Sequence, residues 1–159
     1  MRTTRKNTFS LACLMLWSCL TAQAQRAADV VKWSGEATCA SADSCSVKLS
    51  AAIQEGWHIY ALSQPTGGPI PLKISTPASS AFALASPIAE AKTVQKHFEP
   101  NFKMDTLYYL KSANFDLELK RTGPAEGDTL SVDARFQACS DRLCLPPYTA
   151  HISAGIKRK

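Results

Sequence analysis

The chain has 159 residues, 45% of them hydrophobic, with six cysteines and a formal net charge of +5. That charge sits at the ends: setting aside Arg2, Arg5 and Lys6 leaves +2, and setting aside Lys157, Arg158 and Lys159 as well leaves −1. No basic face of the kind nucleic-acid binding needs remains, and no apolar run beyond the amino terminus reaches the length of a membrane span, so stable membrane insertion is not expected.

At the amino terminus, the three basic residues precede an apolar stretch over residues 9–20 and then Ala22-Gln23-Ala24, a small-x-small cleavage site. Basic, apolar, small is the order of a secretory signal peptide. The apolar core is too short to cross ~30 Å of hydrocarbon as a helix. Cleavage after Ala24 is expected, giving a leader over 1–24 and a single mature domain over 25–159, long enough to bury a core. Leu16-Trp17-Ser18-Cys19 loosely resembles a lipid-attachment box, but Trp17 is bulky for that site, and lipoprotein anchoring is not expected. The expected location is the periplasm.

The mature chain reads as strands and turns. Val47, Leu49, Ala51 and Ile53 alternate with polar neighbours, which is the period of a half-buried strand. Phe115, Leu117 and Leu119 do the same, as do Leu130, Val132, Ala134, Phe136 and Ala138. The loop 122–128 between the last two runs carries Gly123-Pro124 and Gly127, so these runs are predicted to form a hairpin. Weaker strand signals lie over 30–37, 57–62, 71–75, 106–111 and 148–153. Residues 78–91 are rich in alanine, yet Pro77 and Pro87 punctuate them and no apolar stripe of helical period appears. Residues 64–71 form a rigid loop rich in proline and glycine. Short strands at this spacing predict an all-β fold, an immunoglobulin-like antiparallel β-sandwich, with an antiparallel barrel as the alternative.

Cys13 and Cys19 depart with the leader, leaving Cys39, Cys45, Cys139 and Cys144 in an oxidising compartment. Four cysteines allow three pairings, and the spacing favours the local one, Cys39 with Cys45 and Cys139 with Cys144. Structural staples are the plain reading. Closing so short a loop contributes only about 2 kcal/mol by chain entropy, and neither pair would join the two layers of a sandwich. Cys139 falls on the polar parity of its strand, with Arg135 and Gln137, which would turn its sulfur away from the core. Cys144 is surrounded by Leu143, Leu145, Pro146 and Pro147. One reachable sulfur bonded to a shielded one suits thiol–disulfide exchange. Neither pair has the spacing of a zinc knuckle. On the residues alone, staple and exchange site both stand.

The segment Phe136-Gln137-Ala138-Cys139-Ser140-Asp141-Arg142-Leu143-Cys144-Leu145-Pro146-Pro147 closely resembles the active-site segment of the amino-terminal domain of the thiol:disulfide interchange protein DsbD. Val31-Lys32-Trp33-Ser34, Gly56-Trp57-His58-Ile59-Tyr60 and Gly67-Gly68-Pro69-Ile70-Pro71 are similar to the same family, in order and spacing. The resemblance implies an immunoglobulin-like fold and a thiol:disulfide oxidoreductase of protein-disulfide reductase type. Cys139 and Cys144 would cycle between dithiol and disulfide, with Cys144 bonding the partner and Cys139 resolving. Electrons would come from a membrane reductase and pass to thioredoxin-like periplasmic proteins. No cofactor and no metal is implied, since the cysteines carry the electrons. A cap loop would cover the sulfurs, at residues 96–102 here, with Phe102 its first candidate and Phe98 its second. His58 and Tyr60 would line the site.

The chain departs from the family pattern in two ways. It ends after the first domain and has no Cys-x-x-Cys, so the membrane reductase is expected as a separate polypeptide. Cys39 and Cys45 are an additional pair, read as a structural disulfide near an edge strand. The competing function is a redox-inert immunoglobulin-like module that binds a protein or peptide and keeps two structural disulfides. A metal-handling module using His97, His58 and Met104 has little support from spacing.

Overall fold

The structure, a computed structural model, describes residues 25–100, 102–124 and 129–158. The predicted leader over 1–24, with Cys13 and Cys19, lies outside the described residues. One helical turn, α1 (Ala27–Val30), precedes eleven strands: β1 (Val31–Cys39), β2 (Ser44–Ile53), β3 (His58–Tyr60), β4 (Lys73–Ser75), β5 (Phe82–Leu84), β6 (Gln95–Glu99), β7 (Met104–Leu110), β8 (Ser112–Arg121), β9 (Thr129–Phe136), β10 (Ala138–Cys139) and β11 (Tyr148–Arg158). A seven-stranded sheet runs β4-β9-β11-β1-β2-β8-β5, and a four-stranded sheet runs β10-β3-β7-β6. The fold is the expected all-β, immunoglobulin-like sandwich. Every pair is antiparallel except β1 with β11, which run parallel over Glu36–Cys39 and Gly155–Arg158.

The alternating runs become the core strands because each can bury one face completely. Val47, Leu49 and Ala51 of β2, Ala113, Phe115, Leu117 and Leu119 of β8, and Leu130, Val132, Ala134 and Phe136 of β9 are all buried. Trp33 of β1 joins the two halves of the large sheet, its ring 6.4 Å from Phe115 and 5.8 Å from Phe136. Strand β1 comes close to β11 at Gly35, where an added Cβ would stand 3.2 Å from both Ala154 Cβ and Ile152 Cγ2. A side chain there would be tight, and its neighbours would have to give by a few tenths of an ångström.

The predicted hairpin between residues 115–119 and 130–138 does not form. Strand β8 pairs with β2 and β5, whereas β9 pairs with β11 and β4. Alternation reports that a face is buried but not which strand lies beside it. Here Phe115 and Phe136 meet through Trp33 rather than along a shared ladder. Strands β5 and β6 and the turn α1 went unpredicted, being short and, in β6, mostly exposed.

The long connection from β5 to β6 is held by Glu90. Its carboxylate accepts the N–H groups of Leu62 and Ser63 at 3.3 and 2.6 Å and also the Tyr109 hydroxyl. The Tyr109 oxygen in turn accepts the Ala91 N–H at 3.3 Å. Burial and the Glu90 carboxylate push the Tyr109 hydroxyl far above its ordinary range. Replacing Glu90 with alanine strands several of these donors, and a loss of about 1–3 kcal/mol is expected in urea unfolding. Tyr109→Phe should cost less, because the Glu90 contacts to Leu62 and Ser63 survive.

Candidate redox site

Strand β9 ends at Phe136, and after Gln137 the chain leaves the large sheet to form β10 in the small one. The alternation continues through the change of sheet, Ala138 falling on the core face and Cys139 on the other, and both are buried, at 0% and 1% exposure. Cys139 turns away from the core as expected, sharing the face of His58 rather than that of Ala138 and Ile59, but it is buried there, so the expectation that Cys139 is the reachable sulfur and Cys144 the shielded one is corrected. Cys144 is the exposed member of the pair. Cys139 and Cys144 are joined as a disulfide and face each other as an isolated antiparallel bridge.

Backbone bonds close this loop on both sides of the sulfurs. The Ser140 N–H donates to the Leu143 carbonyl at 2.8 Å, and the Leu145 N–H donates to the Ala138 carbonyl at 2.8 Å. The Gln137 side-chain amide donates to the Leu145 carbonyl at 3.1 Å. Inside the loop, the Ser140 hydroxyl oxygen accepts the Arg142 and Leu143 N–H groups. Buried Leu145 anchors the far end, while Leu143 beside Cys144 is 52% exposed.

Cys139 lies directly opposite His58 of β3, and His58 lies opposite Leu110 of β7. Directly opposed residues of an antiparallel pair share a face. Tyr60, Tyr108, Thr106, His97 and Glu99 follow on that face by register. A cleft of about 540 Å³ opens there, and Ser140 and Asp141 of the inter-cysteine loop close its other side. The His58 ring is held edge-on by Tyr60 and Tyr108, at 5.2 and 5.5 Å between centroids.

Burial lowers the pKa of His58, the carboxylates of Glu99 and Asp141 pull it back up, and His97 opposes them. Burial also raises the Tyr60 hydroxyl, with Glu99 adding to the effect. The His58 shift carries a sign for stability. Its folded pKa lies below the ordinary value of about 6.5, so on acidification the unfolded chain takes up this proton first. That part of the stability is present above the ordinary value and is lost as pH falls through the folded one. Melting curves between pH 7.5 and 5 should therefore show a steeper fall for the unaltered protein than for His58→Gln. Parallel curves would mean that this histidine's burial is not coupled to folding.

The cap candidates fall on the hairpin of β6 and β7. Phe102 lies in the connecting turn, its N–H donating to the Glu99 carbonyl at 3.1 Å, and is 36% exposed. Phe98 is 54% exposed and pairs with Asp105, on the strand face opposite to His97 and Glu99. The hairpin end reaches the cleft through Glu99 and Pro100. Residues 64–71 pack beside the same hairpin, with Gly67 at φ +81° and Met104 near both Gly67 and Gly68. His58 and Tyr60 stand on the cleft face with Cys139. Asp141, Glu99, Thr106 and Tyr108 share the cleft; Glu99 falls within the cap candidate 96–102 and Asp141 within the cysteine segment, whereas Thr106 and Tyr108 carried only a weak strand signal.

Cys39 and Cys45 form the other disulfide, as directly opposed residues of β1 and β2. The expected edge position is corrected. Strand β1 lies between β11 and β2, and β2 lies between β1 and β8, so the pair is interior to the sheet. Cys45 is 2% exposed. Among the described residues, no group of three or more histidines, cysteines or carboxylates is arranged to hold a metal ion.

These features define a β-sandwich that presents a short-range disulfide where the chain passes between sheets, one cysteine exposed and the other buried. The chain matches the family described as thiol:disulfide interchange protein DsbD, N-terminal, over residues 27–155, and it belongs to that family. Among solved structures it is similar to the N-terminal periplasmic domain of ScsB from Proteus mirabilis, with 19% identity and a TM-score of 0.58. That alignment covers 80% of this chain and 47% of the Proteus one, so the chain spans less than half of its relative. The Neisseria meningitidis DsbD n-terminal domain in the reduced form aligns at 14% identity and a TM-score of 0.45, over 76% of this chain and 83% of that one. No curated protein matches the chain.

Proposed function

We propose that this domain performs thiol–disulfide exchange in the periplasm, receiving electrons from a separate membrane reductase and passing them to thioredoxin-like proteins. Residues 1–24 act as the cleaved leader in this reading. The observation that carries it is the asymmetry of the family-matched pair, with Cys144 exposed and bonded to a Cys139 that is 1% exposed. In the reduced domain, the Cys144 thiolate attacks a partner disulfide. One partner sulfur leaves with the bonding electron pair, and a mixed disulfide forms. Cys139 then gives up its proton and attacks Cys144, closing the 139–144 bond and releasing the partner's second sulfur as a thiolate. Two electrons pass to the partner and no cofactor is needed. Phe102, at the tip of the β6–β7 hairpin, is the side chain we assign to screening the pair until a partner displaces the hairpin.

Cys39–Cys45 is a structural disulfide in this reading, supported by its interior position and the burial of Cys45. Titration of the purified protein against a thiol redox buffer, with alkylation and mass mapping, tests both assignments. Cys139–Cys144 is expected to open in the native fold above about −270 mV, in the range of thioredoxin-type couples, while Cys39–Cys45 stays closed. If both pairs resist until the domain unfolds, exchange is wrong and the chain is a binding module with two staples. Cys39→Ala with Cys45→Ala should cost about 2 kcal/mol of stability and leave the midpoint of the other pair unchanged.

A further inference from the structure

We propose that His58 takes up the proton that the Cys139 thiol must lose before it attacks the mixed disulfide on Cys144. This inference rests on the exchange reading above. The two cysteines face different problems. Cys144 is exposed, and water can accept its proton and solvate its thiolate. Cys139 is 1% exposed, and burial disfavours a thiolate there. The resolving step therefore needs a base inside the fold.

His58 is the imidazole on the strand next to Cys139, directly opposite it in register. Opposed side chains of an antiparallel pair project to the same face, with Cβ atoms about 5 Å apart. The ring is fixed by edge contacts to Tyr60 of the same strand and Tyr108 of β7. The charged and titratable groups facing it are His97 and Glu99 from β6, Asp141 from the inter-cysteine loop, and the hydroxyls of Tyr60 and Tyr108. Burial keeps the resting imidazole neutral and able to accept a proton, while the two carboxylates favour the imidazolium once it forms. The cleft on this face gives water a route to remove the proton afterwards.

The balance is complete. The Cys139 proton goes to the imidazole, and the Cys139 sulfur bonds to Cys144. The bond between Cys144 and the partner sulfur breaks, and the partner sulfur leaves with the electron pair. The partner is reduced and the cysteine pair oxidised.

The test uses the reduced protein, with Cys39–Cys45 verified closed by mass, mixed with dithiodipyridine in a stopped-flow instrument. The first thiopyridone released reports attack by Cys144, and the second reports closure by Cys139. In the unaltered protein, the second rate should rise with pH through the titration of His58 and then level off. In His58→Gln, the ratio of second to first rate at pH 7 should fall about tenfold or more, and the levelling should disappear. Asp141→Asn, on an exposed loop, should move the inflection to lower pH, because the lost carboxylate favoured the imidazolium. A His58→Gln protein that keeps both the ratio and the inflection overturns the proposal and leaves exchange intact. An unaltered protein that releases no second thiopyridone overturns the exchange reading and this proposal together.

Discussion

Cys144→Ser is expected to form no mixed disulfide and to lose exchange by on the order of a thousandfold or more, because the sulfur that meets the partner is gone and a serine hydroxyl is not a nucleophile at neutral pH. Cys139→Ser should behave in the opposite way. It keeps the exposed sulfur, attacks the partner and then stalls, so the mixed disulfide accumulates. Non-reducing gels and intact mass after incubation with an oxidised thioredoxin-like protein distinguish the two. If Cys139→Ser fails to trap and Cys144→Ser traps instead, the order of attack is reversed. The inference from exposure, 1% at Cys139 against an open Cys144, would then be wrong.

The second large effect lies in the core. Phe136 is 1% exposed, and its ring packs 5.8 Å from Trp33 and 6.1 Å from Tyr148. Trp33 in turn touches Phe115 on the other half of the sheet. Truncating Phe136 to alanine removes the centre of this chain of rings and leaves a cavity that strands on both sides cannot close. A loss of about 3–5 kcal/mol is expected, which lowers the Tm by about 10–20 °C for a domain of this size. Single domains are stable by only about 5–15 kcal/mol in total. Thermal unfolding of the oxidised protein by circular dichroism measures it. A loss under about 1 kcal/mol would show that Trp33 and Tyr148 repack into the space.

What could be read from the sequence divides along physical lines. Residues 115–119 and 130–136 were legible as strands because a buried face imposes period two on the residues themselves. Their partners were not legible, since pairing is decided by what lies across the core, and the loop 122–128 resembles a hairpin connection whether or not one forms. Cys139 shows the same limit at one residue. Its parity along β9 placed it off the core face, where it lies beside His58, but alternation could not show that it would be buried there while Cys144 is exposed. The cysteine spacing and the segment from Phe136 to Pro147 carried the family and the local disulfide pairing. The cleft was out of reach, because Thr106, Tyr108, Glu99 and Asp141 come from three elements that only the four-stranded sheet and its loop bring to one side.

The backbone bonds on both sides of the Cys139–Cys144 bridge have one more consequence. The Ser140–Leu143 and Leu145–Ala138 bonds, with the Gln137 amide on Leu145, already hold the loop as a closed ring without the sulfur–sulfur bond. Reduction therefore frees little chain entropy, and the two thiols remain neighbours at a high effective molarity. In the proposed exchange, a partner tethered to Cys144 would meet its competitor sulfur already in place, and its dwell time on this domain should be brief.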